Sequence, residues 1–252
     1  MVRGLYSAAT GMTVQRNRMD VLTNNIVNAE TTGFKSDSLH TSSFDEVMLK
    51  RINDPNVSIY GGSDVGAYDY GTHIDELVTD FSEGNFEQTG KPTDLAIQGE
   101  GFFAVETPNG ERYTRAGNFT VNSEGYLVTG DGNYVLGENG RIYVGSDKFT
   151  VSADGTVTGS LANRDKLKTV TFSDLGLLRK EGNNLYYAYG GAAAVPAKSV
   201  VQQGVQEGSN VDISDEMVDM LTVYRKYEAS QKITSMTDDS LELAVNLGKV
   251  GG

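Results

Sequence analysis

The chain has 252 residues, of which 38% are apolar, and it carries 30 glycines, four prolines, no cysteine and a net charge of −13. Such acidity excludes a nucleic-acid binder, whose phosphates demand a basic face, and equally a protein docked by charge on an anionic membrane. With no cysteine there is no disulfide, no thiolate chemistry and no cysteine zinc site, and no apolar run reaches the roughly 18 residues of a membrane span.

Leu5, Ala8, Met12, Gln15, Met19, Leu22, Ile26 and Ala29 step by three and four residues. This is the a/d period of a coiled-coil helix, predicted here from about Gly4 to Asn28. Asn28–Gly33 supplies residues that tolerate the left-handed conformation ending helices, and Phe34 follows as an apolar anchor. Arg3 is not followed by an apolar h-region, so no cleaved secretory signal is expected; if the protein leaves the cytoplasm, another route carries it.

Residues 35–75 are poorly periodic. With Pro55, Gly61, Gly62, Gly66 and Gly71 among Tyr60, Tyr68 and Tyr70, they read as an ordered, irregular arm or long hairpin. From about Thr72 to Gly208 the sequence alternates short apolar strands with turns. Pro108-Asn109-Gly110, Asp131-Gly132, Asn139-Gly140 and Asp154-Gly155 mark hairpins, the first expected as a type I′ turn. Turn signals at this spacing predict an antiparallel all-β domain.

The closing helix is announced by Asp212 as N-cap and is predicted to end at Gly248. Its seam, Ile213, Met217, Met220, Tyr224, Tyr227, Gln231, Thr234, Asp238, Leu241 and Val245, repeats the period of the first helix. Residues 1–35 carry four basic and two acidic side chains (+2), and residues 212–252 four basic and eight acidic (−4), so the two ends are electrostatically complementary. The fold is therefore read as α+β: N- and C-terminal helices paired as a coiled coil around a central antiparallel all-β domain. Helices of about 25–35 residues run about 40–50 Å, longer than a compact β domain is wide. Val14, Val21, Met236, Leu243 and Leu247 lie off the seam as exposed apolar flanks, and surface of that kind marks assembly.

No catalytic, cofactor or metal site emerges. His40 and His73 stand apart, without HxH or HExxH spacing. Gly99-Glu-Gly101 and Gly130-Asp-Gly132 fit no nucleotide loop, and Asp131-Gly-Asn133 lacks the remaining ligands of a calcium loop. Asp75, Glu76, Asp80, Glu83 and Glu87 read as a solvated acidic surface rather than a glycosidase pair. Tyr60, Tyr68, Tyr70 and Tyr186-Tyr187 leave open a polysaccharide-binding β module as an alternative.

Three separated motifs then resemble one family. They are Asn24-Asn25-Ile26-Val27-Asn28 with Thr31, Gly33, Phe34 and Lys35; Asp94-Leu-Ala-Ile-Gln-Gly-Glu-Gly-Phe-Phe103 with Tyr113–Phe119 and Gly125–Val128; and Ser209-Asn-Val211 with Glu216, Met217, Met220, Arg225, Tyr227 and Glu228. The chain resembles the flagellar axial proteins, specifically basal-body rod proteins of the FlgG/FlgF type. The resemblance implies a non-enzymatic structural subunit without cofactor. Residues 1–30 plus 212–248 would form an inner coiled-coil domain, 31–75 a connecting arm or hairpin, and 76–211 an outer β domain. It implies a hollow, torque-transmitting helical homopolymer in the basal body, outside the cytoplasm. The chain would be exported by the flagellar type III apparatus without a cleaved signal. Partners would be other rod proteins, the hook protein and ring proteins around the rod. Within the family, the distal rod (FlgG-like) is preferred to the proximal (FlgF-like). The seams place Leu5, Met12, Met19, Leu22 and Ile26 against Met217, Met220, Tyr224, Tyr227 and Leu241; the motif adds Asn25, Asn28 and Phe34 to the assembly interface. Gln15, Gln231 and Thr234 are the polar candidates for setting register.

Overall fold

The structure, a computed structural model, describes residues 2–51, 63–159 and 164–250. The chain divides into two compact units, one of Met1–Asn24, Asp37–Val78 and Ser214–Gly252, the other of Asn25–Ser36 and Thr79–Ile213.

The first unit holds most of two long helices, α1 (Val2–Val27) and α2 (Ile213–Val250), and four strands. These are β1 (Asp37–Ser43), β2 (Val47–Arg51), β3 (Ser63–Tyr68) and β4 (Thr72–Thr79). β1 pairs with β4, and β2 with β3 in antiparallel register from Val47↔Tyr68 to Arg51↔Ser63. The arm is thus a hairpin of two ladders; Pro55 and Tyr60 fall outside the described residues. Gly71 lies where the ribbon meets α1. Its φ is +124°, and a Cβ there would stand 2.1 Å from Thr10 Oγ1, so both conformation and space require glycine.

The second unit is the β unit, and every pairing in it is antiparallel. Its strands are β5 (Phe86–Gln88), β6 (Leu95–Gln98), β7 (Phe102–Thr107), β8 (Gly110–Thr114), β9 (Thr120–Val121), β10 (Leu127–Val128), β11 (Tyr134–Gly137) and β12 (Gly140–Arg141). They continue with β13 (Thr150–Val151), β14 (Thr156–Thr158), β15 (Arg164–Lys166), β16 (Thr169–Phe172), β17 (Leu178–Gly182), β18 (Leu185–Ala188), β19 (Ala194–Pro196), β20 (Val200–Gln203) and β21 (Val205–Glu207). The main sheet runs β17-β18-β8-β7-β11-β10-β9, with β16 joined to β7 and β19. Central β7 is buried on both faces, which is why Phe102-Phe103-Ala104-Val105 is a continuous apolar run. Phe103 and Val105 enter one core with Leu95, Ile97, Phe119 and Leu127. Phe102 and Ala104 enter another with Tyr113, Phe172 and Tyr186.

The turns differ from expectation in one respect. β7 and β8 do form a two-residue hairpin, with Thr107 opposite Gly110. It is not type I′, because Pro108 fixes a negative φ where that turn needs a positive one. The two consecutive left-handed residues are Asn183 and Asn184 (φ 50° and 55°), between Gly182 and Leu185 of the β17–β18 hairpin.

After α1 the chain descends through tight turns, Asn28 N–H donating to Asn25 C=O and Thr31 N–H to Asn28 C=O. At Gly33, φ is +67°, and a Cβ would lie 2.4 Å from Ala116 N. Gly33→Ala is therefore expected to cost about 2 kcal/mol or more, read as a lower urea midpoint at unchanged m-value.

On the surface of the β unit, Arg141 donates to Glu106 at 2.6 Å and Arg112 pairs with Glu181. Each hydrogen bond holds its glutamate below the usual carboxylate range. A depressed folded pKa means stability present above the unfolded value, about 4.3, and lost as pH falls through the folded one. Urea midpoints should therefore decline below about pH 4.3, and Glu181→Gln should flatten part of that decline.

Candidate assembly surface and buried clamp

Among the described side chains of α2, one narrow stripe is shielded within the chain: Glu216, Met220, Val223, Tyr227, Ser230, Thr234, Thr237 and Leu241. The steps of four and three are those of a heptad seam. Met220, Tyr227, Thr234 and Leu241 match the expected seam. Met217 and Tyr224 do not: they are 53% and 51% exposed, one residue round the helix from Glu216 and Val223. Gln231 is likewise exposed. Small polar residues occupy the shielded stripe in place of the expected apolar ones. Ser230, Thr234 and Thr237 donate their hydroxyls to the carbonyls of Lys226, Ser230 and Ile233, at 3.0, 3.1 and 2.7 Å. Satisfied by their own helix, they need no outside partner and tolerate close approach. That approach is seen opposite Ser230, where a Cβ on Gly11 of α1 would lie 3.8 Å from Ser230 Oγ.

α1 is buried on a wider arc. Leu5, Met12, Met19 and Ile26 are half-buried, and Ala8, Leu22 and Asn25 are buried. Val14, expected as an exposed flank, is buried too, whereas Met236, Leu243 and Leu247 are exposed as expected. Part of the extra cover near the start of α1 comes from the ribbon, where Ser7 Oγ lies 3.5 Å from the Tyr68 hydroxyl. Tyr6, Thr10, Phe44, Asp45 and Tyr70 line an open cavity of about 540 Å³ beside it.

The motif residues after α1 do something the sequence did not suggest. Phe34 and Lys35 are buried within their own chain, as is Asn25, so none of the three is offered to a neighbour; Asn28 is half-buried and accepts from Thr31 Oγ1 at 3.2 Å. Lys35 Nζ donates to Glu207 Oε1 and to Ser82 C=O, both at 2.6 Å. Arg115 donates to Glu207 Oε2 at 3.3 Å, to Ile97 C=O at 3.2 Å and to Gly99 C=O at 2.8 Å. Gly84 N–H adds a third bond to the carboxylate at 3.2 Å, and Glu207 C=O accepts from Gly33 N–H at 2.7 Å. Burial pulls the Lys35 ammonium below the usual lysine range, against the opposing hydrogen bond and charge of Glu207. Alongside, Asn210 Oδ1 accepts from Ser36 N–H at 2.8 Å, while its amide donates to Asp80 C=O at 3.0 Å and Ser82 Oγ at 3.1 Å. Three segments, 33–36, 80–84 and 207–210, are thus clamped together inside the β unit. Opposite charges inside two separate motifs, Lys35 and Arg115 against Glu207, were the sequence signal for it.

Among the described residues, no three or more His, Asp or Glu side chains gather as a metal site. His73 packs on Phe44 at 4.8 Å between ring centroids and lies 3.1 Å from Ser42 Oγ. The tyrosine platform fails at Tyr186, which is wholly buried.

Comparison with known proteins agrees with this layout. Residues 5–35 match the family described as "Flagella basal body rod protein", residues 96–159 the "Flagellar hook protein FlgE/F/G D1 domain", and residues 202–247 the "Flagellar basal body rod FlgEFG protein C-terminal". The flagellar basal-body rod protein FlgG of Bacillus subtilis is 34% identical, over 98% of this chain and 99% of its own. The chain belongs to the flagellar basal-body rod proteins. Also similar are the rod protein FlgF of Caulobacter vibrioides, 33% identical over 99% of this chain and all of its own, and the hook-basal body complex protein FlhO of Bacillus subtilis, 31% identical over 99% of this chain and all of its own. As a rod protein it is a structural component of the basal body, and no described helix is long and apolar enough to cross a membrane.

In this rod protein the clamp should dominate the stability of the β unit. Lys35→Met leaves a buried carboxylate half-answered and should cost about 3 kcal/mol. Glu207→Ala strands two cations and Gly84 N–H, and should cost more. Chemical denaturation of both variants checks the order.

Proposed function

We propose that this chain is the distal rod subunit, FlgG-like, polymerising helically into a hollow axle that transmits torque. The observation that carries the reading is the outer face of α2. Val218, Leu221, Met236 and Leu243 are each at least 59% exposed on one side of a helix whose opposite side is already shielded. An apolar stripe of this length is an interface awaiting other chains. α1 and α2 pair as a coiled coil, with Gly11 facing Ser230, and form the inner domain; the β unit forms the outer one. Leu5, Met12, Met19, Ile26, Met220, Tyr227 and Leu241 hold the pair together, while Met217 and Tyr224 face neighbouring copies. Export proceeds through the flagellar type III apparatus without a cleaved signal, and the rod meets other rod proteins, the hook protein and surrounding rings. The distal assignment rests on the extent of the 44–71 arm and the position of the Asp94 motif, since identities of 34% to a FlgG and 33% to a FlgF do not separate the two.

The test is sedimentation of the purified full-length protein over a concentration series, with electron microscopy of the pellet. Filaments are expected above a critical concentration. Leu221→Glu with Leu243→Glu should raise that concentration at least about tenfold, since each 1.4 kcal/mol is a factor of ten, without lowering the melting temperature. Unchanged assembly by the double variant would sink the reading.

A further inference from the structure

α2 also carries two rows of charge. Asp219 and Lys226 form one row, continued by Ile233; Arg225, Lys232 and Asp239 form the other, each step seven residues. All five charged residues are exposed, and no ion pair among the described residues engages them. At 3.6 residues per turn the rows, which hold consecutive residues at Arg225/Lys226 and Lys232/Ile233, lie about 100° apart around the helix. The first flanks the shielded seam. The second shares the outer face with Val218, Leu221, Met236 and Leu243. Read in order, the first row is minus, plus; the second, from Lys232, is plus, minus.

We infer that α2 of one copy packs parallel to α2 of the next, first row on second row, staggered by thirteen residues, about 20 Å along the axis. This inference rests on the self-assembly reading and deepens it by fixing direction and register. At that stagger Asp219 meets Lys232 and Lys226 meets Asp239. Ile233 comes level with Asn246, one turn from Leu243. Asp212, just ahead of the helix, stands the same thirteen residues before Arg225.

Neighbouring registers are worse. A stagger of six residues sets Asp219 on Arg225 but Lys226 on Lys232. A stagger of twenty sets Asp219 on Asp239. In antiparallel packing, matching Asp219 with Lys232 puts Lys226 on Arg225, and matching Asp219 with Arg225 leaves Lys226 opposite Val218. Exposed pairs of this kind add little strength, but like-charge clashes exclude wrong registers, so the apolar stripe supplies affinity and the rows supply the choice. Because the two rows are different surfaces, the contact is heterologous. With an axial stagger it cannot close into a flat ring and propagates as a helix.

The absence of native cysteine makes the test direct. Full-length protein carrying Asp219→Cys and Lys232→Cys is assembled and oxidised. Within one chain the two positions are about 20 Å apart, too far for a disulfide, so only neighbouring copies can be joined. A ladder of covalent oligomers is expected. None is expected from Asp219→Cys with Arg225→Cys, the pair brought together by the six-residue stagger and by antiparallel packing. In parallel, Lys226→Glu should raise the critical concentration about tenfold, and adding Asp239→Lys should restore it. Polymer without a ladder from the 219/232 pair, or without charge-swap rescue, overturns the register and leaves self-assembly standing. Failure of the unmodified protein to polymerise removes both.

Discussion

Glu207 is a carboxylate taken wholly out of water, and the β unit is arranged around answering it. Lys35 arrives from the stretch after α1, Arg115 from the end of β8, and Gly84 N–H from the stretch after β4. Buried ion clusters gain little over well-packed apolar replacements, because desolvation offsets most of the attraction. Their effect is on choice. An unanswered buried charge is costly, so only the arrangement that delivers both cations to Glu207 is tolerated. Asn210 extends the constraint to neutral groups by bonding to Ser36, Asp80 and Ser82 at once. Of the four chain passages between the two units, three lie just beyond Ser36, Val78 and Ile213, and the fourth follows Asn24 within α1. The clamp therefore sits beside three of the four covalent routes by which force entering one unit travels to the other.

The two helices share a period and differ in company. Among its described residues α1 shows solvent a line through Tyr6, Ala9, Thr13, Arg16, Asp20, Thr23 and Val27, with Gly4 and Asn24 also exposed, while α2 hides a thin line. A helix largely covered in its own chain, in the same unit as a helix with an exposed apolar face, fits the polymer subunit proposed above, in which one part would hold the fold and the other would join the copies.

Much of this was legible in the sequence. Helix periods survive in one dimension, so both helices and their ends near Asn28 and Asp212 could be read, as could the β character of the middle from its turns. The rotation of the α2 seam could not. Met217 and Tyr224 looked like seam residues because they are apolar, and Ser230 and Thr237 looked like surface because they are polar. Hydroxyl bonds to their own helix reverse that ranking, and such bonds leave no mark in a hydrophobic pattern. The hairpin at Pro108 was visible, but its turn type was decided by the proline ring rather than by Asn109-Gly110. The clamp joins residues 172 positions apart, Lys35 to Glu207. Single-sequence reading saw its members only as pieces of motifs.

That separation has a kinetic meaning. Contacts between distant segments close slowly, since the intervening loop must be ordered before any bond rewards it. A chain made or delivered N-terminus first presents Lys35 and Arg115 long before Glu207 arrives. Until then the interior of the β unit holds two cations with no anion between them, and the compact state is disfavoured. Completion is thus timed by the last quarter of the polypeptide, and the growing chain stays pliable for as long as it is unfinished.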